Sequence, residues 1–133
     1  MTMGFAVNLN KLCERAKDKA HIVVRKTAFE LQGMMIDTSP VRTGRFRSNW
    51  AVGLGAINTS ADAAPDKTGD SAKGRAQAAL QGWKPGQTIY LSNSVPYALR
   101  LERGWSQQAP QGMVRLTVQR YGDALAEAVK GLK

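Results

Sequence analysis

The 133 residues are enough for one domain with its own core, and a 43% hydrophobic content excludes a wholly disordered chain. A single cysteine excludes an internal disulfide, and one cysteine with one histidine leaves too few ligands for a structural zinc site. The net charge of +9 indicates either simple solubility or proximity to an acidic partner such as nucleic acid or an acidic protein surface.

The N-terminal region reads as one long helix over residues 9–37. Small or apolar residues recur there mostly in steps of three and four, which is the period of an amphipathic helix. Asn8 is a suitable N-cap, and Pro40 lies just beyond the end. At 1.5 Å per residue the helix would be roughly 40 Å long. We therefore expect it to pack on a sheet or on a neighbouring subunit.

The period changes to two from Arg45 onwards. Alternate positions over residues 46–54 are mostly apolar, while Arg45 and Arg47 fall on the other side. This pattern predicts a half-buried strand with a basic outer face. With Arg42 these arginines form the one concentrated positive feature of the sequence, because residues 39–57 contain no acid.

Residues 58–82 differ from the rest in composition. They contain seven alanines, three glycines and a single large apolar residue, Leu80. Such a segment buries little surface to offset the entropy of ordering, so we expect a flexible loop insertion that becomes ordered against neighbours. A short helix from Ser71 to Gln81, closed by Gly82, is an alternative for its second half.

The remaining chain predicts a strand and two further helices. Residues 88–92 are rich in strand formers, and Pro96 can open a short helix that runs from Tyr97 to Arg103. Residues 113–118 alternate like a strand, but helical spacing continues over nearly twenty residues, so we favour a C-terminal helix that opens near Pro110. The order predicts one α+β domain over residues 1–133. Its long N-terminal helix packs on a small, mostly antiparallel sheet, with a short helix and a C-terminal helix.

No arrangement of residues typical of an active site is present. Cys13 and His21 lie about 80° apart around the predicted helix, which argues against a metal site and against a Cys–His catalytic pair. No serine lies in a Gly-x-Ser-x-Gly elbow. The start of the chain lacks the apolar core of a signal peptide, and no apolar run approaches about 18 residues. We expect a soluble protein from a reducing compartment, without enzymatic activity, metal or cofactor.

Three clusters are not explained by generic folding. They are SPVRTGRFRSNW over residues 39–50, a second over residues 89–104 that ends in NSVPYALRLERG, and QAPQGMVR over residues 108–115. In this order they resemble the tail-completion and head–tail joining proteins of tailed bacteriophages, which include minor tail protein Z-like sequences. The resemblance covers roughly residues 8–57 and 83–130. The matching positions are Pro40, Thr43, Gly44, Trp50, Asn93, Pro96, Tyr97, Glu102, Gly104, Pro110, Gly112 and Met113.

The resemblance implies a structural protein of the virion, a subunit of a hexameric ring in the neck that connects tail to head. It implies further copies of the chain as partners, together with the tail terminator, the tail tube and the head stopper. Genomic DNA held non-specifically in the lumen is a further expectation, and no membrane is involved. Assembly would take place in the host cytoplasm. The alternatives are a tail terminator or head-completion (stopper) protein of the same neck, or a small basic nucleic-acid-binding protein.

Six residues are candidates for a subunit interface or a lumen surface. The arginines are expected to face DNA or a carboxylate of a neighbouring subunit, such as Glu102. At Arg42 the family pattern often carries an acid, so this chain departs from it there. The two tryptophans look exposed and would supply apolar contact area. The six are Arg42, Arg45, Arg47, Trp83, Glu102 and Trp105.

Overall fold

The computed structural model describes the backbone of residues 6–130 and the side chains of residues 19 and 21–130. This part of the chain mixes helices with a small antiparallel sheet, which confirms the predicted α+β class. In chain order the elements are α1 (Ala6–Asp37), α2 (Arg45–Ser48), β1 (Trp50–Leu54), α3 (Asp70–Gln81), β2 (Ile89–Asn93), α4 (Ala98–Glu102), α5 (Val114–Gln119) and α6 (Tyr121–Lys130).

A stripe of buried side chains runs along α1. Val24, Ala28, Leu31 and Met35 follow steps of three and four residues and lie in the hydrophobic core. The predicted amphipathic helix is thus confirmed over residues 21–37, whereas the prediction for the side chains of residues 9–18 and 20 lies outside the described residues. The helix packs chiefly on α3 and α6 and touches the sheet less. Two five-residue strands are too small a surface to cover so long a stripe.

The two strands pair antiparallel, with Trp50 opposite Asn93 and Leu54 opposite Ile89. The predicted second strand is confirmed, but the prediction that the first begins at Arg45 is wrong. Residues 45–48 form the short helix α2 instead. Phe46 and Trp50 are four residues apart. Residues at that spacing share a side in a helix and also in a strand, so the pattern fits both structures. Both are buried, and their rings meet edge to face at 5.7 Å.

The second half of the alanine-rich segment is α3, which confirms the alternative of a helix there. Ala72, Ala76 and Leu80 recur every four residues and are buried in the core. Because alanine side chains are short, α3 packs closely against α1 and β1 without large apolar residues. An ion pair between Lys73 and Asp37, at 2.7 Å, links the surfaces of the two helices. The mobility of residues 58–82 stays a prediction.

Trp83 follows α3 and is buried, with only 1% of its surface exposed, so the expectation of an exposed side chain is wrong. Its indole N–H donates to the carbonyl of Gln87 at 2.8 Å. Arg25 of α1 stacks over its ring and donates to the carbonyls of Leu80 and Trp83. Trp83 therefore joins the end of α3 to α1 and belongs to the core.

The C-terminal region is helical. This confirms the helix predicted there, although part of the sequence also alternates like a strand. Residues 114–119 form α5, and a turn at Arg120 separates this helix from α6. The predicted short helix from Tyr97 to Arg103 is confirmed as α4, with those two residues as its caps. Ala124 and Ala128 of α6 are buried, and α6 packs on α1.

The opposite environments of two tryptophans give a direct test of this fold. Replacing Trp83 by Ala should lower the free energy of unfolding by about 3–5 kcal/mol, because a large buried side chain leaves a cavity. Trp105, whose surface is 71% exposed, is the matched control. Its replacement by Ala should change the free energy by no more than about 0.5 kcal/mol. Urea unfolding measures both, and equal midpoints for the two variants would contradict the placement of Trp83.

Candidate functional site

The turn after α1 is held by Arg47. The last carbonyl groups of a helix have no partner within it. The guanidinium group donates to one such carbonyl, that of Asp37, at 3.1 Å, and also to the carbonyls of Ser39 and Lys67, at 3.0 and 2.9 Å. Arg47 is half-buried, and both of its terminal nitrogens donate to carbonyls of its own chain. The prediction that it projects with Arg45 from one strand face is therefore wrong.

Trp50 fixes the same turn from the side of the sheet. Its buried indole N–H donates to the Ser39 hydroxyl at 2.7 Å, and that hydroxyl donates to the carbonyl of Met35 at 2.6 Å. Pro40 follows and is itself buried. The end of α1 and the start of β1 are thereby locked together, so the residues between them form a fixed loop.

Gly44 lies next to the backbone of the segment that precedes α3. Its φ is 90°, and a Cβ there would sit 2.5 Å from the backbone of Asp66 and Lys67. Its carbonyl accepts a hydrogen bond from the N–H of Asp66 at 3.2 Å. The Thr43 hydroxyl accepts from the N–H of Arg45 and starts α2. This confirms that Thr43 and Gly44 turn the chain, although they turn it into a helix first.

Asp66 organises the segment that passes Gly44 through several hydrogen bonds. Its carboxylate accepts hydrogen bonds from the hydroxyl and the N–H of Thr68, at 2.7 and 2.9 Å, and from the N–H of Ser71 at 3.0 Å. These bonds favour the charged form, so the pKa of Asp66 lies well below its ordinary value of 3.8, chiefly because of the Thr68 hydroxyl. These bonds shape the loop that passes Gly44 before α3 begins.

Glu102 holds the chain that follows α4. Its carboxylate accepts hydrogen bonds from the N–H groups of Met113 and Val114, both at 2.8 Å, and of Arg115 at 3.0 Å. These are free donors at the start of α5, where a negative charge is favoured. Among the described side chains Glu102 forms no ion pair with an arginine, and its expected contact with a neighbouring subunit stays a prediction. The carboxylate serves its own backbone.

Two glycines make this arrangement sterically feasible. A Cβ on Gly112 would lie 2.4 Å from the carbonyl oxygen of Glu102 and 2.6 Å from its carboxylate. A Cβ on Gly104 would lie 2.4 Å from the carbonyl of Pro110, and both glycines have positive φ. Met113 is fully buried beneath them. The second and third sequence clusters therefore form one structural unit.

A groove of about 690 Å³ separates these two supported regions. One wall is the turn of residues 40–46. The other contains Tyr97, Arg100, Leu101, Trp105, Ser106 and Gln108. The Gln108 side chain bridges the walls, because its oxygen accepts from the N–H of Val41 at 2.8 Å and its NH₂ group donates to the carbonyl of Val41 at 3.1 Å. We call this cleft the arginine groove.

Three arginines and several aromatic rings line the arginine groove. Arg42, Arg45 and Arg100 are exposed, and no acidic side chain is among the lining residues. Arg45 stacks on Tyr97, with its guanidinium carbon 5.7 Å from the ring centroid, and Arg100 stacks on Trp105 at 5.3 Å. Within the side chains that the structure describes, the three guanidinium groups have no acidic partner; the ion pairs there involve lysines.

The structure brings some of the predicted site residues together and disperses others. Of the six interface candidates, three lie on the arginine groove: Arg42, Arg45 and Trp105. Trp105 is exposed, as expected. The other three are engaged inside the fold: Arg47, Trp83 and Glu102.

The family-like positions divide between the groove and its supports. Asn93 lies in the interior, where it donates to the carbonyl of Phe46 at 2.8 Å and accepts from the N–H of Val95. The latter bond confirms the expected local role of Asn93 before Pro96. The positions that line the groove are Pro40, Thr43, Gly44 and Tyr97. Those that support it or precede α4 are Trp50, Pro96, Gly104, Pro110, Gly112 and Met113.

Sequence reasoning missed Arg100 and Gln108 as groove residues. Arg100 follows Tyr97 by three residues at the start of a predicted helix, and that spacing puts the two on one helix face. This signal was available in the sequence. Gln108 carried none, because its partner Val41 lies 67 residues away.

Two kinds of feature are absent from the residues that the structure describes. In that part of the chain no group of three or more His, Cys, Asp or Glu side chains could hold a metal ion. No helix within the same range combines the length and the apolar character that a membrane span requires.

Comparison with known proteins identifies the family. Residues 4–78 match the family model described as "Bacteriophage HK97-gp10, putative tail-component". The match covers more than half of the chain. The chain belongs to this family. The resemblance to tailed-phage tail proteins is thus confirmed, and a phage tail component is part of the virion.

The family match spans α1, α2, β1 and most of α3. It includes the first cluster and hence the wall of the arginine groove that carries Arg42 and Arg45. The clusters over residues 89–115, which build the other wall, lie beyond the matched range. Searches of curated proteins and of solved structures found no match to this chain.

Replacing Glu102 by Gln tests the carboxylate's structural role. An amide keeps the size of the side chain but removes the charge and turns one acceptor into a donor that faces backbone N–H groups. We expect the free energy of unfolding to fall by about 1–3 kcal/mol. The amides of residues 113–115 should also exchange faster with solvent. Glu127→Gln, at an exposed carboxylate paired with Lys130, is the control. Identical urea midpoints and exchange rates for both variants would rule out the described role.

Proposed function

We propose that this tail component is a ring-forming subunit of the neck, which completes the tail and joins it to the head, and that its role is structural and not enzymatic. The observation that carries the proposal is the convergence of three distant sequence clusters on the arginine groove. Trp105 in the groove exposes 71% of its surface, and Leu99, which precedes the groove residue Arg100, exposes 53%. Aromatic and arginine side chains exposed together are typical of protein–protein interfaces.

A ring requires a contact between two different surfaces of the same chain, repeated around an axis. The chain offers candidate surfaces of that kind. Leu99 is an exposed apolar residue on α4, and Ile22 and Val129 are exposed apolar residues on α1 and α6. The resemblance implies six copies. The further partners would be the tail terminator, the tail tube and the head stopper, met in the host cytoplasm during assembly and retained in the neck of the virion.

Two other stations in the same neck fit the same family and the same surface, the tail terminator and the head-completion (stopper) protein. A second candidate function, non-specific binding of genomic DNA in the lumen, is favoured by one observation. Arg42 and Arg45 are exposed without acidic partners, and arginines so placed can hold phosphates without reading sequence. The aromatic walls of the groove favour a protein contact.

Complementation of a phage that lacks this gene tests the proposed function. Without the protein, we expect filled heads and separate tails, because the joint is missing. The chain with both Arg42→Glu and Arg45→Glu should fail to restore joined particles if these residues lie at an interface. Arg120→Glu, an exposed arginine outside the groove, should restore them fully. Arg47 stays unchanged throughout, because its loss would disturb the fold.

Electron microscopy and infectivity distinguish the outcomes. Joined particles that leak or fail to eject DNA with the double variant would favour the lumen. Joined, infective particles with the double variant would leave both arginines as solvated surface. Joined particles in the complete absence of the protein would overturn the proposed function.

A further inference from the structure

We propose that the arginine groove is the docking site for an acidic segment of a different protein of the neck or tail. The segment carries an aromatic or aliphatic side chain close to its carboxylates. This inference deepens the proposed function and rests on it for the setting, whereas the chemistry of the occupant follows from the groove itself.

The charge of the arginine groove calls for carboxylates. Arg42, Arg45 and Arg100 line one cleft, and no acid of the chain lies among the lining residues. Guanidinium groups are planar and pair with carboxylates through two parallel hydrogen bonds. Three unpaired guanidinium groups around one groove are therefore complementary to a run of acidic side chains.

The arginines are partly positioned before any partner arrives. Arg45 rests on the ring of Tyr97 and Arg100 on the ring of Trp105. A guanidinium group that stacks by its face keeps the N–H groups at its edge available. Stacking also reduces the conformational entropy that binding would otherwise cost. The groove is thus prepared for charged groups that enter between its walls.

The interior of the groove calls for an apolar side chain as well. Phe46 and Leu101 form buried parts of its lining, Tyr97 is half-buried there, and Trp105 stands exposed at its edge. A volume of about 690 Å³ suits a few side chains of a peptide. A DNA duplex is recognised mostly by protein elements that enter its grooves or follow its backbone, and an apolar cleft of this size does neither.

The partner differs from this chain because the chain has no acidic run: its ten acids are outnumbered by nineteen basic residues, and no two of them are adjacent in the sequence. With a net charge of +9, a second copy is a poorer source of negative charge for the groove than an acidic segment of another protein. Several carboxylates are already engaged inside the fold or in ion pairs. These are Asp37 with Lys73, Asp66 with Thr68 and Ser71, Glu102 with the start of α5, and Glu127 with Lys130. A protein with an acidic run supplies what a second copy lacks.

An array of overlapping 15-residue peptides tests the proposal. The peptides should cover all head, neck and tail proteins of the phage, including this chain, and the labelled full-length protein is the probe. We expect binding to acidic peptides of another protein that contain Phe, Tyr, Trp or Leu. Fluorescence anisotropy with the best peptide should show weaker binding at higher salt, because the contact involves exposed charges.

Matched variants locate the contact. The triple variant Arg42→Glu, Arg45→Glu, Arg100→Glu should weaken binding of that peptide at least about tenfold, while Arg120→Glu should leave it unchanged. Trp105→Ala, which alters only an exposed side chain, should weaken it several-fold. Circular dichroism and urea unfolding check that each variant is folded, and Trp105→Ala carries the test if the triple variant is not.

Three results would overturn the proposal. These are no binding of acidic peptides, strongest binding to peptides of this chain itself, and equal arginine-dependent binding to a 20-base-pair DNA duplex. The outcome is separable from that of the proposed function. A chain that occupies the neck but ignores acidic peptides defeats this inference alone, and a chain that binds them but is absent from the neck defeats the proposed function.

Discussion

The carbonyl groups at the end of α1 must find hydrogen-bond donors, and the way they find them shapes the surface of this protein. Arg47 donates to the carbonyls of Asp37 and Ser39 and reaches Lys67 on the far loop. A helix end buried without partners is costly, and an arginine with five donors in one plane can serve several carbonyls at once. The turn that follows is therefore rigid, and it displays Arg42 and Arg45 while Arg47 stays inside.

On the opposite wall of the arginine groove the backbone groups that need partners are N–H donors, and a negative side chain satisfies them. The free N–H groups at the start of α5 are taken by the carboxylate of Glu102, and Gly112 leaves the space for it. Gln108 then ties this wall to Val41. In these two regions the chain uses Arg47 and Glu102 to satisfy its own backbone. Arg42, Arg45 and Arg100 line the groove together and have no acidic partner among the described side chains.

The sequence predicted what depends on local pattern and left open what depends on distant partners. The period of α1, the second strand, α4 and the choice of helix for α5 all follow from spacing. The boundary at α2 did not, because Phe46 and Trp50 satisfy a helical turn and a strand equally well. Arg45 and Arg47 are the same residue type two positions apart, and only the carbonyls near Arg47 distinguish them. Trp83 likewise looks exposed until Arg25 is known to cover it.

Membership of a bacteriophage tail-component family and the surface of the chain support one account. The three sequence clusters build the arginine groove, through which we propose that this subunit joins others. Native mass spectrometry of tails purified from virions tests that account most directly. We predict a complex in which this chain is present in several identical copies, six if the ring is hexameric. Tails that contain a single copy of the chain, or none, would contradict the account.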